Sequence, residues 1–419
     1  MKTHYPVIVV GGGQAGLSLS YCLKERGIDH LVLERDRIAS AWRSSRWDSF
    51  CLVTPNWQCA LPGFPYSGND PHGFMRKDEI VRYIEAYAAF FDPPLREGVA
   101  VERVGRAPGG TRFDVATSHG DFTADGVVVA IGGYHTVALP RMAERLPAGI
   151  VQLHSSQYKN PQALPAGDVL VVGTGQSGCQ IAEDLHLAGR RVHLCVGSAP
   201  RVARRYRGRD VVAWLDDLGH YDLPVHEHPL KEGIRTRPNH YVTGRDGGHD
   251  LDLRQFALEG MQLYGRLRDV RDGLLRFGDD LKANLDRADE VSESIKTTID
   301  AHIERNGLDA PAEARYVPVW EPHGEPRELG VAAAGIGAVI WSTGYVADFR
   351  WVDVPAFDGK GYPTHVRGVS AIPGLYFAGL PWLYTWGSGR FSGIARDAHF
   401  IADHIVLRSA AAPEFAARA

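Results

Sequence analysis

Two stretches of the chain carry the same alternation of apolar and polar positions. Val7 to Val10 are a short, wholly apolar run. It enters a glycine-rich turn and continues into Gln14 to Arg26, where apolar residues recur at helical spacing. Gly27 closes that helix, and His30 to Glu34 resume a strand. The same order returns at "DVLVVGTGQSGCQIAEDL": strand Val169 to Val172, helix Gln176 to Ala188, Gly189 as the stop, strand Val192 to Val196. Each is a βαβ unit, and the pair is the one internal similarity in the chain.

Between the units, "VRYIEAYAAFF" reads as a helix and "RFDVATSHGDFTADGVVVAIGG" as a meander returning to a sheet. After the second unit a polar, Arg- and Gly-rich stretch runs to about residue 275. The helix-like "ADEVSESIKTTIDAHIERNG" follows, and then the apolar strands of "GAVIWSTGY" and "GLYFAGL". The pattern predicts an α/β protein of two Rossmann-like dinucleotide-binding domains, the second inserted into the first. The expected boundaries are 1–160 and 326–419 for the first domain and 161–325 for the insertion, which includes a helical and loop region.

Composition narrows the setting. With 419 residues, 44% hydrophobic and 23% charged, the chain has enough material for two or three packed cores. A net charge of −4 offers no general attraction for nucleic acid or anionic lipid, so an anionic partner must be small and locally held. Five cysteines, none in a CxxC pair, fit a reducing compartment. No apolar run approaches a membrane span and no signal core opens the chain, so a cytoplasmic protein is expected, as monomer or homodimer.

The chemistry lies in the two turns. In GxGxxG, glycine allows a tight turn and close approach to a pyrophosphate, which then rests on the free amides of a helix N-terminus. Those residues are Gly11, Gly13 and Gly16, then Gly173, Gly175 and Gly178. Gln14 and Ala15 stand inside the first turn, Gln176 and Ser177 inside the second. The strand tips differ. Glu34 follows Gly16 by 18 residues, where a carboxylate accepts from an adenosine ribose and repels a 2′-phosphate; Arg35 is beside it. At the second tip Gly197 replaces the acid, followed by Ser198, Arg201, Arg204 and Arg205, and arginine forks match phosphate oxygens. The first cradle therefore suits FAD or NAD and the second NADPH, and the two together suit a chain that holds FAD with NADPH.

With these features in place, the sequence resembles the class B flavin-dependent monooxygenases. That group includes flavin-containing monooxygenases, plant indole-3-pyruvate monooxygenases and Baeyer–Villiger enzymes. The resemblance spans nearly the whole chain. "AWRSSRWDSFCLVTPNW" is similar to the family's Trp-Arg segment, which implies that Trp42, Arg43, Thr54, Pro55 and Asn56 lie near FAD. "VVVAIGG", with Gly132, and "VIWSTGY" resemble the two turns where the chain crosses between domains; "LYFAGL", with Gly379, resembles the strand beside the flavin.

"LPAGIVQLHSSQYKN" approximates the family's linker fingerprint through His154, Tyr158 and Lys159. It departs in having no Phe before Gly149 and five positions, not four, from Gly149 to His154. Tyr158-Lys159 stands where Baeyer–Villiger enzymes carry Trp and then Pro or Asp, which favours oxygenation of a heteroatom or oxidative decarboxylation.

The resemblance implies a small-molecule substrate, dioxygen as co-substrate, and oxygen transfer from a flavin C4a hydroperoxide. Asn56 is the candidate polar group beside the flavin. His154 is the candidate linker histidine, contacting ribose or fixing domain orientation. Trp382, Tyr384, Trp386 and Arg390 in "LPWLYTWGSGRFSG" are the candidate substrate wall. His226 and His228 in "VHEHPL" lack further metal ligands at a recognised spacing, and no metal is expected. Cys179 has no second cysteine to resolve a disulfide. N- or S-oxygenation leads, Baeyer–Villiger or decarboxylating chemistry is second, and a flavin redox sensor is the alternative outside enzymes.

Overall fold

The computed structural model describes residues 2–106 and 110–416. The first unit is β1 (His4–Val10), α1 (Gln14–Glu25) and β2 (His30–Leu33), followed by the long helix α2 (Lys77–Phe91) and β3 (Phe122–Val129). β1 pairs parallel with β2 on one side and with β3 on the other, Val7 to Val10 facing Gly126 to Val129. Val7 and Val9 are buried under the helices α1 and α2, and Ile8 and Val10 under meander residues such as Val104, Phe113 and Val115, so both faces are covered and the run is apolar without alternation.

The chain then enters β4 (Val151–His154), β5 (Asp168–Val172), α3 (Gln176–Leu187), β6 (Val192–Cys195), β7 (Gln262–Tyr264), α4 (Leu281–Asn306) and β8 (Ile336–Trp341). The five strands form one parallel sheet in the order β4-β8-β5-β6-β7. The expected boundaries at 160 and 325 are corrected by this pairing: Val151–His154 and Ile336–Trp341 are both strands of the second sheet. Local pattern could not assign them, since an apolar strand does not state which sheet it joins. Finally β9 (Leu375–Phe377) returns to the far end of β3, and α5 (Ile394–Ala416) packs on α1.

The two crossings between sheets run side by side. Thr136–Val137 and Tyr345–Val346 pair antiparallel, and Ala138 N donates to Gly344 O at 3.0 Å. Among the described residues no helix is long and apolar enough to cross a membrane.

Candidate functional site

In each cradle the three glycines do different work. A Cβ on Gly16 would lie 1.8 Å from Gly11 O, and one on Gly178 1.9 Å from Gly173 O, so the last glycine lets helix and turn touch. The first glycines, with φ +108° at Gly11 and +103° at Gly173, adopt a conformation that side chains disfavour. They press against the crossover segments, Gly11 toward Ala130 O and Gly173 toward Ser342 O. The middle glycines, Gly13 and Gly175, meet nothing within 4 Å and are the helix N-caps, with no side chain capping either helix. Open space in front of uncapped first-turn amides is what a dinucleotide pyrophosphate requires.

The tips diverge as their sequences imply. Glu34 Oε2 accepts from Gly12 N at 2.7 Å and Oε1 from Asp36 N at 3.0 Å. That leaves carboxylate acceptor capacity at the tip. In the second unit Thr174 Oγ1 accepts from Gly197 N at 2.9 Å, and no carboxylate occupies the position. Ser198 is half-buried beside it.

The arginine cluster is corrected. Arg201 is 3% exposed, its Nε 2.5 Å from Asp289 and its guanidinium 4.2 Å from the Tyr316 ring. Arg204 is 1% exposed, donates to Val53 O at 2.7 Å, and is paired with Asp210. Burial would lower the Arg201 pKa, but Asp289 and Asp252 hold it above its ordinary value. Arg201 serves the core of the insertion, Arg204 ties the insertion to the first domain through Val53 O, and neither is free for phosphate. Arg205 is exposed, with one 3.4 Å contact to Gly247 O.

Around the first cradle, Gln14 Nε2 donates to Gly389 O at 3.3 Å and its Oε1 receives Trp42 Nε1 at 3.4 Å. Gln14 thus ties the start of α1 to two segments implied to lie near the flavin. A Cβ on Gly379, at φ +74°, would lie 2.5 Å from the Ala15 side chain; that strand end must be glycine to reach α1. Gly132 has φ +74° at the first crossing. Thr54 is half-buried and Pro55 buried at the end of the same segment as Trp42. Arg43 is paired with Glu85 of α2, and the exposed Arg35 with Asp36, so neither guanidinium is unpartnered.

Both residues expected to be catalytic have internal tasks. Asn56 is 4% exposed; its Nδ2 donates to Asp70 O at 2.9 Å and its Oδ1 accepts from Met75 N at 2.7 Å. Buried and engaged at both ends, it braces the 56–75 loop. His154 is 1% exposed, donates from Nε2 to Gly344 O at 3.0 Å, and accepts at Nδ1 from Ser156 N at 3.2 Å. Burial lowers its pKa. It pins the linker to the second crossing, the orienting role considered for it, and is not placed as a general base.

Asp184 is a residue that sequence reading missed. One oxygen accepts from Ser49 Oγ at 2.6 Å and Arg245 Nη1 at 2.7 Å; the other accepts from Tyr158 OH at 2.6 Å. A single carboxylate on α3 thus joins the first domain, the linker and the insertion. It was hidden because its partners are distant in sequence.

The polar stretch without a motif folds over the aromatic segment. Val225 N donates to Tyr384 O at 2.7 Å, and Arg235 Nε to Trp382 O at 3.1 Å. Trp382 is 6% exposed beneath this cover, 5.2 Å from the His228 ring. Tyr384 lies under Arg367, and Trp386 lies against Tyr221 and Arg390.

All five cysteines are unpaired and buried. Burial pushes the Cys22 and Cys59 thiols up to about 12 and Cys51 to about 11. No dithiol is available for disulfide exchange among the described residues.

The chain is similar to known proteins along its whole length. It is 30% identical to the uncharacterised oxidoreductase CzcO-like of Geobacillus kaustophilus, covering 96% of this chain and 98% of that protein. It is 34% identical to indole-3-pyruvate monooxygenase YUCCA1 of Oryza sativa subsp. japonica over 208 residues, 47% of this chain and 49% of that one. Among solved structures, a flavin-containing monooxygenase from Stenotrophomonas maltophilia shares the fold, with a TM-score of 0.66 at 18% identity, covering 97% of this chain and 99% of that one. Residues 8–223 match the family described as pyridine nucleotide-disulphide oxidoreductase. With two dinucleotide cradles and a relative of near-identical extent, the chain belongs to that family of oxidoreductases.

Proposed function

We propose that this protein is an NADPH- and O2-dependent FAD monooxygenase that adds one oxygen atom to a soft nitrogen or sulfur nucleophile of a small organic molecule. The observation that carries it is the inequality of the cradles: both leave space at the middle glycine, but one has Glu34 at its tip and the other Gly197. FAD in the first and NADPH in the second supply hydride and oxygen chemistry when bound.

The chain's own part is placement. Gly13 and Gly175 admit the two pyrophosphates, and Glu34 receives the ribose of the first. Ser198 and Arg205 are the groups left to meet a 2′-phosphate. His154, Tyr158 and Asp184 hold the two cradles in one relative orientation. The insertion segment over Trp382 and Trp386 keeps water from the reacting centre. Since no side chain must act as nucleophile, the lack of a disposed base at Asn56 or His154 agrees with this chemistry. A carbonyl or 2-oxo acid substrate is the second reading, favoured by the similarity of half the chain to an indole-3-pyruvate monooxygenase.

The test is the FAD-loaded protein with NADPH and 18O2 against amines, sulfides, ketones and 2-oxo acids, read by mass spectrometry. The expected result is substrate-stimulated NADPH oxidation and a product carrying one labelled oxygen. NADPH consumption that yields only hydrogen peroxide with every class would overturn it.

A further inference from the structure

The tip of the second cradle has a basic corner that the sequence around Gly197 does not contain. β7 lies parallel to β6, with Leu194 opposite Leu263 and Cys195 opposite Tyr264, and Val196 N donates to Tyr264 O at 2.9 Å. Counted on at that register, Gly265 is level with Val196 and Arg266 with Gly197. Neighbouring strands are about 4.8 Å apart, so Arg266 leaves the sheet one strand away from the tip. α4 leads to the same corner. Asn284 Nδ2 donates to Val196 O at 3.1 Å, and Asp280 stands one turn before it, its carbonyl accepting from Asn284 N at 3.0 Å.

Asp280 holds two arginines. Its Oδ1 accepts from Arg266 N at 2.9 Å and its Oδ2 from Arg268 Nη2 at 3.0 Å. Arg268 therefore spends its charge on this carboxylate. Arg266 Nε stays 3.8 Å from Oδ2, its side chain is 41% exposed, and its guanidinium makes no hydrogen bond among the described residues. Glu325, the other acid at the start of α4, accepts from Lys282 N at 3.1 Å. Two guanidinium groups against one carboxylate leave a positive charge on Arg266, whose backbone is fixed and whose fork is open. Arg201 and Arg204, by contrast, are buried on carboxylates of their own.

Sheet order decides which part of a dinucleotide comes here. β5 carries the glycine turn, with β6 and β7 on one side of it and β8 and β4 on the other. In a doubly wound sheet of this order the adenosine half lies over the β6 side. We propose that Arg266, steadied by Asp280 and Arg268, grips the 2′-phosphate of NADPH and so sets the preference for NADPH over NADH. This rests on the reading that NADPH occupies the second cradle, and it adds a residue from the neighbouring strand to Ser198 and Arg205 of the tip's own segment.

Charge supplies the discrimination. At this place NADH offers a neutral ribose hydroxyl, whereas NADPH offers phosphate oxygens that a guanidinium fork meets in pairs, through hydrogen bonds about twice as strong as neutral ones. Asp280 would by itself repel the phosphate. Arg268 offsets that repulsion, so the carboxylate orients Arg266 without opposing its ligand.

The experiment is calorimetric titration of the FAD-loaded protein, without turnover, with adenosine 2′,5′-bisphosphate and with 5′-AMP at about 0.1 M salt. The wild type is expected to bind the bisphosphate about tenfold or more tightly than 5′-AMP. Arg266→Gln is expected to lower the bisphosphate affinity about tenfold while 5′-AMP binding stays within about twofold, and Arg266→Lys to recover part of the loss. FAD content reports whether each variant is folded. Should Arg266→Gln not fold, Asp280→Asn, which releases Arg266 from its competitor, is expected to raise bisphosphate affinity several-fold with 5′-AMP unchanged; an unchanged or lowered affinity there overturns the assignment. An unchanged bisphosphate affinity in Arg266→Gln overturns it while leaving NADPH in the cradle. An equal loss for both nucleotides also overturns it, by placing the arginine on the part of the ligand that they share. A wild type that binds the two alike, or binds neither, removes NADPH from this cradle and the proposal with it.

Discussion

Gly175→Ala and Gly178→Ala add the same methyl group to the same turn and should have opposite consequences. Gly175 has φ −66° and ψ 176°, which alanine adopts freely, and its Cβ meets nothing within 4 Å. Alanine there loses less unfolded-chain entropy, worth about 0.4–1 kcal/mol, and is a poorer N-cap by a similar amount. The sum is near zero, so Tm should move by no more than about 2 °C.

The methyl nevertheless occupies the space through which the backbone approaches the pyrophosphate, and KM for NADPH should rise about tenfold, a loss of about 1.4 kcal/mol. Gly178→Ala instead places Cβ 1.9 Å from Gly173 O, a backbone atom that cannot rotate away. α3 must shift by more than 1 Å, which costs roughly 1–3 kcal/mol or more and should lower Tm by several degrees. Thermal unfolding and steady-state NADPH oxidation on the same preparations separate the two effects. A wild-type KM for NADPH in a fully folded Gly175→Ala protein would refute the placement of the reductant in this cradle.

Other outcomes follow from the same geometry. Arg204→Ala, which removes a buried guanidinium and leaves the half-buried Asp210 without its partner, should cost about 2–3 kcal/mol in urea unfolding while the NADPH-to-NADH preference stays put; Arg205→Ala should reduce that preference with little change in stability, and the reverse pattern would return phosphate recognition to Arg204. Gly197→Asp has room, its nearest neighbour being Thr174 Oγ1 at 3.6 Å, and should shift the preference toward NADH; kcat/KM ratios unchanged for the two nucleotides would count against the tip as the discriminator. Asp397 is 1% exposed, and burial, opposed by Ser388 and Arg367, pushes its carboxyl up to about 6. Between about pH 4 and pH 6 the folded state keeps a proton that the unfolded chain has released, so stability falls as pH rises through that window and stays lower above it. Asp397→Asn should remove this slope, gaining about 2–3 kcal/mol at pH 7 and almost nothing at pH 4; parallel stability curves for the two proteins would dismiss the carboxyl as the cause.

Both βαβ units and their glycine turns were legible before any coordinate, because each depends on neighbours within about 30 residues. An apolar run with no alternation becomes a buried parallel strand, and glycine is needed wherever turn and helix touch. Glu34 and Gly197 were readable for the same reason, being set by distance from their own glycines. The arginines were not. Whether Arg201 or Arg204 faces a phosphate depends on Asp289 and Asp210, and Asp289 arrives from α4, 88 residues away. Asn56 looked available because its partners, Asp70 O and Met75 N, are backbone atoms of a loop whose path no periodicity encodes. Local pattern determines which elements form and where the open glycine turns lie. Tertiary structure decides which charged side chains remain unspent, because a buried charge is defined by its partner, and partners are chosen by the packing of distant segments.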